Sequence, residues 1–454
     1  MPTLRHPRIF SWLAGIVLIG LLAACGSSPA TAGPTPTSPA NGVTPGATAT
    51  LSGGHPPVLT PTAGTTAPVP PTQTSCPAAN TGRPAVLAPL ALGHDQALLY
   101  TIETQGSAAP PASITLYRYD ATTGAKKVLL AFSHEFFSDP QISADGQWLL
   151  FISGASTNAP AKLQLIRLDG QGLQTLYCGS ISSAQWSADQ KLVSFYSSDR
   201  GSGLYLLNLQ SGSVQRELDL SSPLPRYVVV TWLDSTRLYL DTPGIDAPAS
   251  NILILDGSKG IDQKPSDLIP VFQAQNPSGD LYAFVNFDSS YDGKALFVSV
   301  YSREKGSSSA PAAPSSIELF PPAGGNARTL YGSSTLAIPA IRVIDGNSLC
   351  LLVENFEGDT SQNGLWKMNV DGTDLTHLTT FGNRTVALFN GIAQFPWSNF
   401  SRDSSLYGIW TETSHGLTTT NSLLVGSLQG GAPATIESAD AAGTHFAIVG
   451  WTTV

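Results

Sequence analysis

The sequence contains few charged residues for its length. Asp, Glu, Lys and Arg together make up 12% of its 454 residues, about half of their share in an average globular domain. The shortage is concentrated near the N-terminus, because no charged residue occurs from Gly26 to Gly82, where Pro, Thr, Ala and Gly dominate. Such a segment buries too little apolar surface to offset the entropy of ordering it. We therefore predict a disordered Pro/Thr/Ala-rich stalk over residues 25–84.

Basic residues are scarcer than acidic ones. The chain has 23 Lys and Arg against 32 Asp and Glu, a formal net charge of −9. Two of the basic residues, Arg5 and Arg8, belong to an N-terminal leader, and their removal leaves 21 against 32. Phosphate backbones are bound by clusters of Lys and Arg, and the sequence has none. The predicted partner is therefore not a nucleic acid.

Motifs that carry catalytic or metal chemistry are missing. The sequence has no Gly-x-Ser-x-Gly elbow, no His-Glu-x-x-His pattern, no calcium-loop spacing and no phosphate-binding loop. Its seven histidines form no i, i+2 or i, i+4 pair, and no Cys-x-x-Cys pair occurs. We predict no catalytic residue, no metal centre and no cofactor, and the question of enzymatic activity stays open.

Only four cysteines are present. Cys25 follows a basic start and an uncharged apolar run that is too short to span a bilayer comfortably. Leu22-Ala23-Ala24-Cys25 resembles the bacterial lipobox, in which the cysteine is lipidated and the leader is cut before it. An ordinary signal peptide with an incidental cysteine is the alternative. The resemblance predicts a lipoprotein signal peptide over residues 1–24 and a lipid anchor at Cys25, outside the cytoplasmic membrane.

The other three cysteines divide into a pair and a single thiol. Export permits disulfide formation, and Cys76 and Cys178 both lie in predicted loops, so they are a candidate disulfide. Cys350 lies in the apolar run SLCLLV and is expected to be a buried thiol.

A repeat runs through the remaining residues, 85–454. Each unit has a short strand, a polar turn, an apolar strand, a Gly/Ser-rich loop and an alternating strand. The last residues of the first strands are Ile142, Trp186, Trp232, Asn276, Val343, Trp397 and Trp451. The three shortest steps, 44, 46 and 44 residues, match four-stranded propeller blades of about 40–50 residues, and the longest step, after Asn276, predicts an insertion between Asp288 and Ser316. We predict an all-β, seven-bladed β-propeller of four-stranded antiparallel blades, with tryptophans packed between blades.

Two blades carry a more specific resemblance. Ser143–Phe151 (SADGQWLLF) resembles the Ser-Pro-Asp-Gly turn and following strand of TolB-type, WD40-like propellers, with Ala144 in place of the proline. Leu365–Thr379 is similar to the third and fourth strands of those repeats, and Ser197–Gly203 to the loop before them. Blades four and five depart from the pattern. The resemblance implies a propeller in the periplasm or at the cell surface, and no single activity.

The chain ends on a first strand, Phe446–Trp451, that no second strand follows. The missing three strands are found at the other end of the domain, at Ala97–Glu103, Ile114–Asp120 and Lys126–Phe132. We predict that the C-terminal strand pairs with this N-terminal blade and closes the ring, which removes exposed sheet edges.

Long irregular loops are predicted between the second and third strands of the blades, on one common face. Loops on a rigid scaffold are frequent binding sites. The candidate binding residues in these loops are Asp199, Arg200, Asp288, Asp292, Glu354, Glu357, Asp359, Glu412 and His415. Their carboxylates would suit Ca²⁺, sugar hydroxyls or a cationic peptide, and a solvated acidic rim is the alternative.

These features predict a lipoprotein displayed outside the cytoplasmic membrane, in the periplasm or at the cell surface. Its propeller is expected to bind a protein, a peptide or a cell-wall glycan. Two alternatives stay open. One is a propeller-type glycosidase or lyase with acidic residues converging at the channel mouth, and the other is a structural spacer with a flat apolar patch.

Overall fold

The computed structural model describes residues 75–78, 80, 90, 92–105, 111–155, 160–187, 189–220, 227–242, 251–273, 281–290, 295–304, 312–321, 326–355, 359–381, 385–387, 399–415 and 418–453. Cys25 and the predicted leader lie outside these residues, as do Asn276, Asp292, Glu357 and Trp397. Within the described ranges, no helix has the length and apolar character needed to cross a membrane.

The described chain folds into seven antiparallel sheets of four strands each, the blades of a propeller. We number the strands along the chain and give each blade from its innermost strand outward. Blade one contains β28 (Thr444–Thr453), β1 (Gln96–Thr104), β2 (Ser113–Asp120) and β3 (Lys126–Ser133). Blade two contains β4 (Phe136–Ile142), β5 (Trp148–Gly154), β6 (Ala161–Arg167) and β7 (Gln174–Gly179). Blade three contains β8 (Ile181–Trp186), β9 (Leu192–Ser197), β10 (Gly203–Asn208) and β11 (Val214–Asp219).

The other four blades repeat this order. Blade four contains β12 (Val228–Trp232), β13 (Arg237–Thr242), β14 (Asn251–Asp256) and β15 (Ile269–Gln273). Blade five contains β16 (Leu281–Ser289), β17 (Leu296–Glu304), β18 (Ala312–Phe320) and β19 (Arg328–Ser333). Blade six contains β20 (Ala340–Asp345), β21 (Ser348–Val353), β22 (Gly364–Asn369) and β23 (Thr376–Thr380). Blade seven contains β24 (Thr385–Ala387), β25 (Leu406–His415), β26 (Thr418–Ser427) and β27 (Ala434–Asp440).

The core is divided among the joints between neighbouring blades. The described residues form seven apolar clusters, and each combines side chains of two adjacent blades. Because both faces of a blade are covered by its neighbours, second strands such as β5 and β21 are buried along their whole length. This explains why they read as continuous apolar runs rather than as alternating ones. Trp148, Trp186, Trp232 and Trp451 all lie in these clusters, as predicted.

The predicted closure of the ring is confirmed. β28 pairs antiparallel with β1, from Gln96 opposite Thr453 to Thr104 opposite Thr444, with one register shift after Leu99. Trp451 is fully buried at the joint between blades seven and one. The C-terminal strand is therefore the innermost strand of blade one.

The prediction for blade five was wrong by one strand. Its innermost strand is β16, which packs beside β20 of blade six, rather than a strand ending at Asn276. The stretch predicted as an insertion, from Asp288 to Ser316, contains the second strand β17 and the start of the third strand β18. The sequence NPSGD imitates the turn between first and second strands, and this displaced the prediction by one strand.

Candidate functional site

Each blade sends its connections to two opposite faces of the ring. The loop face carries the connections from second to third strands and from each blade to the next, such as residues 198–202, 354–363 and 441–443. The turn face carries the connections from first to second and from third to fourth strands. The two faces differ in how their polar side chains are used, and this difference locates the candidate site.

On the turn face, the polar side chains serve the turns themselves. In blade two, Ser143 Oγ donates to Asp145 Oδ1 at 2.5 Å and accepts from the amide of Trp148 at 3.0 Å. The same Ser-x-Asp arrangement recurs at Ser187 and Asp189 and at Ser401 and Asp403. These side chains satisfy backbone N–H groups that the turn leaves without partners. The Ser-x-Asp hydrogen bonds that recur in these turns are therefore structural, as predicted from the Ser and Asp residues.

On the loop face, blade three presents Asp199 and Arg200, and both are exposed. The Asp199 carboxylate accepts from the amide of Ser180 at 2.8 Å, which fastens this loop to the connection between blades two and three. A β-carbon at Gly179 would overlap that carboxylate, so the close approach requires glycine. Tyr205 Oη donates to the carbonyl of Gly201 at 2.8 Å and holds the other side of the loop. The Arg200 side chain thus projects from a loop that is fixed at both ends.

Blade six presents a second ordered loop. Asn355 and Asn363 bond reciprocally across its base: the Asn355 amide donates to Asn363 Oδ1 at 2.6 Å, and Asn363 Nδ2 donates to the Asn355 carbonyl at 3.2 Å. Glu354 is buried in this base, and its amide donates to the Ala337 carbonyl at 3.0 Å. Asp359 is exposed and accepts from Ser361 Oγ at 2.5 Å and from Ser361 N at 3.0 Å, and these hydrogen bonds hold its pKa below the usual value. Of the predicted acids of this loop that the structure describes, Asp359 faces solvent and Glu354 does not.

Blade seven differs from the prediction, because the sequence TETSHGLTTTN is largely strand. Glu412 and His415 belong to β25, which pairs with β26 out to His415 opposite Thr418. The Thr-rich run suits a strand well, since β-branched residues favour extended backbone. Glu412 is half-buried near the loop-face end of its strand. Blades six and seven are neighbours, whereas Asp199 and Arg200 lie three blades from blade six, so the candidates do not form one cluster.

Asp288 is on the opposite side from the other candidates, which corrects its predicted role. It lies near the turn-face end of β16 and is 2% exposed. Its carboxylate accepts from the amides of Val343 and Ser289, each at 2.9 Å. Burial raises the pKa of Asp288 to about 6, even though the nearby Arg342 guanidinium and these two amides lower it. Asp288 is thus an internal group that fastens blade five to blade six.

Sequence reasoning missed the partners of Asp288. Asn286 Oδ1 accepts from the Ile341 amide at 2.9 Å and from Arg342 Nη1 at 3.1 Å, and Nη1 also donates to the Ile341 carbonyl at 2.7 Å. Burial lowers the pKa of Arg342, and the Asp288 charge opposes that shift. An isolated basic residue in the apolar strand AIRVID was the one available signal, because an apolar strand tolerates a charge only with a buried partner.

Inner strands elsewhere in the ring are fastened in the same way. Gln141 Oε1 accepts from the Trp186 amide at 2.6 Å, and Asp139 Oδ2 accepts from the Ser183 amide at 3.0 Å. Gln185 Nε2 donates to the Val230 carbonyl at 2.8 Å. These bonds satisfy the backbone groups of inner strands that would otherwise be an open sheet edge around the channel. The polar residues of the inner strands therefore have a structural use.

Negative charge is concentrated on the loop face. Outside the ion-paired group of Asp219, Asp262, Arg216 and Lys264, the basic side chains that the structure describes there are Lys162 and Arg200. The described acids of this face that are exposed or half-buried are Glu103, Glu135, Asp199, Asp359, Glu412 and Asp440, whereas Asp241 and Glu354 are buried. On the turn face, several acids have a basic partner, as in Asp169 with Arg167, Asp189 with Lys191 and Asp234 with Arg237. The loop face is thus a diffuse acidic surface.

The described residues provide neither a metal site nor an apolar patch. Where the structure describes the chain, no group of three or more His, Cys, Asp and Glu side chains is placed to hold a metal ion. Among the described large hydrophobic side chains, Ile261 is the exposed one, at 55%. The flat apolar patch that a spacer would need is therefore absent from the described surface.

The three remaining cysteines are placed by the structure. Cys76 and Cys178 form a disulfide with their Cα atoms 5.8 Å apart. Cys178 is in β7 rather than in a loop, opposite Lys162. Cys350 is a buried free thiol, and burial raises its pKa strongly.

Comparisons with known proteins locate similar folds. No family model matches the sequence, and no curated protein matches it either. Among solved structures, TolB from Acinetobacter baumannii is 16% identical with a TM-score of 0.39, and the alignment covers 62% of this chain and 65% of TolB. An oligogalacturonate lyase in complex with manganese is 15% identical over 68% of this chain and 82% of the lyase, with a TM-score of 0.47. The propeller domain of the Trilobed protease from Pyrococcus furiosus is 12% identical over 75% of this chain and 94% of that domain, with a TM-score of 0.48. TolB is thus one of the propellers to which this chain is similar, and the propeller fold is established by the seven sheets themselves.

Proposed function

We propose that this chain is a lipid-anchored protein outside the cytoplasmic membrane whose propeller is a binding module. The partner is a positively charged protein or peptide, bound on the loop face. The observation that carries the proposal is the charge difference between the faces: six exposed or half-buried acids are described on the loop face beside Lys162 and Arg200, whereas several acids of the turn face are paired with bases.

The order of the loops supports this assignment. The loops of blades three and six are held by internal hydrogen bonds, so the carboxylates of Asp199 and Asp359 are presented without a large ordering cost on binding. Their spread over several blades suits an extended cationic partner better than a single small ion. A surface of one sign also accelerates the encounter with an oppositely charged partner.

Anchoring is proposed from Leu22-Ala23-Ala24-Cys25 and the uncharged stalk after it. Full-length chain expressed in bacteria with an alkyne-tagged palmitate should carry the label and sediment with membranes. The Cys25→Ser variant should do neither. Labelling of the variant at the wild-type level would refute the anchor.

Binding is tested by removing charge from one face at a time. The triple variant Asp199→Asn, Asp359→Asn, Asp440→Asn keeps hydrogen-bond acceptors at these positions and removes three negative charges from the loop face. The matched variant Asp120→Asn, Asp256→Asn, Asp371→Asn removes three turn-capping acids from the turn face. A fluorescent decalysine peptide is the probe, titrated at low and at physiological salt.

We expect wild-type binding that weakens with salt, because screening acts on exposed charges. The loop-face variant should lose about tenfold in affinity, and the turn-face variant should change little. Equal losses in both variants would show that net charge alone governs binding and would refute the assignment. If a glycan binds the wild-type protein and decalysine does not, the proposal of a cationic partner is refuted in favour of a glycan.

A further inference from the structure

The disulfide closes a loop around the first strands of the propeller. It joins Cys76 to Cys178, 102 residues later. Strands β1 to β6 lie inside this covalent loop, and Cys178 itself belongs to β7, the outermost strand of blade two. Residues before Cys76 and residues after Cys178 lie outside it. Tension applied to the chain before Cys76 therefore passes through the disulfide to residue 178 without passing through β1.

The strand that the disulfide bypasses is the one that closes the ring. β1 pairs with β28 over its whole length, and this pairing joins the two ends of the propeller. No turn connects these two strands, because they come from opposite ends of the chain. A pull on the N-terminal side that entered at Gln96 would strip β1 from β28 and open the ring.

We propose that the Cys76–Cys178 disulfide is the mechanical attachment point of the propeller to its stalk. It diverts tension on the stalk away from the β1–β28 pairing and into blade two. The proposal rests on the proposed anchoring only in that a tethered protein with a bound partner is pulled along its stalk.

The path beyond Cys178 is suited to carry load. It continues through Gly179 and Ser180 into β8, the innermost strand of blade three. The Ser180 amide is bonded to Asp199, and β8 ends at the buried Trp186, whose amide is bonded to Gln141 of blade two. Load thus reaches a strand whose two ends are fastened to neighbouring parts of the ring, rather than the β1–β28 pairing of blade one, which no turn connects.

The segment within the covalent loop keeps its own contacts. The Leu90 amide donates to Gln147 Oε1 at 2.9 Å, and the Leu90 side chain packs against the cluster between blades one and two. These contacts resist an applied force only weakly. Because the disulfide bears the force, their role is to cover the apolar cluster between blades one and two.

The test is single-molecule pulling on the full chain, with and without the disulfide. Handles are attached through azide-bearing residues at Thr72, in the stalk, and at Ile261, which is exposed in blade four. The comparison variant is Cys76→Ala, Cys178→Ala. A second pair of handles, at the exposed Ser211 and Gln429, lies outside the covalent loop and does not load the stalk.

We expect the force of the first rupture to fall to about half or less in the variant when the stalk is pulled, with β1 released first. Between Ser211 and Gln429 the first rupture should occur at the wild-type force. An unchanged force in the stalk geometry would overturn the proposal. Equal weakening in both geometries would also overturn it, since the disulfide would then stabilise the whole ring rather than redirect load.

This experiment uses neither membrane nor partner. Its outcome is therefore independent of decalysine binding and of palmitate labelling, and a failure of the proposed function leaves it intact.

Discussion

Blade one and blade three hold their first two strands together by different means. In blade three the first two strands, β8 and β9, are six residues each and are joined by a turn that Ser187 and Asp189 hold together. In blade one the corresponding strands, β28 and β1, have no connecting turn and are ten and nine residues long. Bringing two distant chain ends together costs more entropy than forming a short turn. The longer pairing in blade one offsets that cost.

The missing turn of blade one is covered by its neighbours. The Arg402 guanidinium from the turn of blade seven donates to the Ala144 carbonyl in the turn of blade two. The Arg402 amide donates to Gln96 Oε1 at 3.1 Å, and Thr452 Oγ1 donates to the Gly146 carbonyl at 2.7 Å. Both strands of the β1–β28 pairing, the seam of the ring, are therefore fastened at its turn-face end. Where no turn links the two strands, as in blade one, ring closure therefore depends on strand length and on the adjacent turns.

Deleting residues 444–454 should have the largest effect. The deletion removes the buried side chains of Phe446, Ile448, Val449 and Trp451. At about 1.5–3 kcal/mol for each buried side chain, the loss is about 6–12 kcal/mol, comparable with the whole stability of a domain. Denaturant unfolding should show a lost or non-cooperative transition. Deleting residues 55–65 of the stalk is the control, and equal midpoints for the two deletions would refute the closure argument.

Asp288→Ala should have the next largest effect. β20 is held to blade five by the Asp288 carboxylate, which accepts from the Val343 amide. β28 is instead held to blade seven by a neutral side chain, since its Thr444 carbonyl accepts from Asn421 Nδ2 at 2.8 Å. Removing the buried Asp288 carboxylate takes away a nearby opposite charge of the buried Arg342 guanidinium and leaves the Val343 amide without its acceptor, so we expect a loss of about 3–5 kcal/mol in the free energy of unfolding. Asp95→Ala, at an exposed position, should stay within about 0.5 kcal/mol. A loss below 1 kcal/mol for Asp288→Ala would show that the fastening of blades five and six lies elsewhere.

Arg402→Ala tests whether the contact between the turns of blades seven and two stabilises the β1–β28 pairing. Losing its hydrogen bond to Ala144 should cost about 1.5–3 kcal/mol, whereas Ser187→Ala in blade three should cost about 1 kcal/mol. Amide hydrogen exchange distinguishes the two further. Exchange in β1 and β28 should accelerate in Arg402→Ala and stay unchanged in Ser187→Ala. The comparison between the blades fails if both variants open the seam.

The sequence predicts the blades where turn and strand signals coincide and misplaces them where a turn is imitated. Ser143 to Phe151 and Leu365 to Thr379 were placed correctly because Ser, Asp and Gly at the turns adjoin continuous apolar strands. In blade five, NPSGD precedes β16 and SYDG follows it, so the wrong candidate was taken as the turn. A shift of one strand exchanges the two faces, which is why the sequence predicts Asp288 on the loop face.

Burial separates the candidate residues in a way that spacing alone does not show. Glu354 and Asp359 belong to one loop, yet Glu354 is buried at its base and Asp359 is exposed. The sequence contains both carboxylates but not the Asn355–Asn363 pair that decides which of them turns inward. The Asp288–Arg342 contact was equally inaccessible, since the two residues come from different blades and meet only through the register of β16 and β20.

Glu217→Gln should have the smallest effect, and it depends on pH. Glu217 in blade three is 5% exposed, and its Oε2 atom is buried without a hydrogen-bond partner. Burial raises its pKa to about 6; Gln215, which donates to Oε1 at 3.1 Å, opposes the shift, and the Asp262 charge adds to it. Blade one also contains an acid with a raised pKa, Glu103 in β1, which is half-buried; burial raises its pKa and the nearby His445 opposes that shift.

The direction follows from the raised pKa. Between the unfolded value of 4.5 and the folded value of about 6, the folded state keeps a proton on Glu217 that the unfolded state has lost. This contribution to stability is complete below pH 4.5 and is lost as the pH rises through 6, and a shift of this size is worth about 2 kcal/mol. Glu217→Gln should remove that fall between pH 4.5 and 7.5, measured by urea unfolding at each pH. Asp288 contributes with the same sign in both proteins and cancels in the difference. Glu103→Gln should remove a smaller part, because water and His445 already stabilise its charge. A larger effect for Glu103→Gln would reverse the order of the two blades and would make the seam, rather than the joint of blades three and four, the pH-sensitive part of the ring.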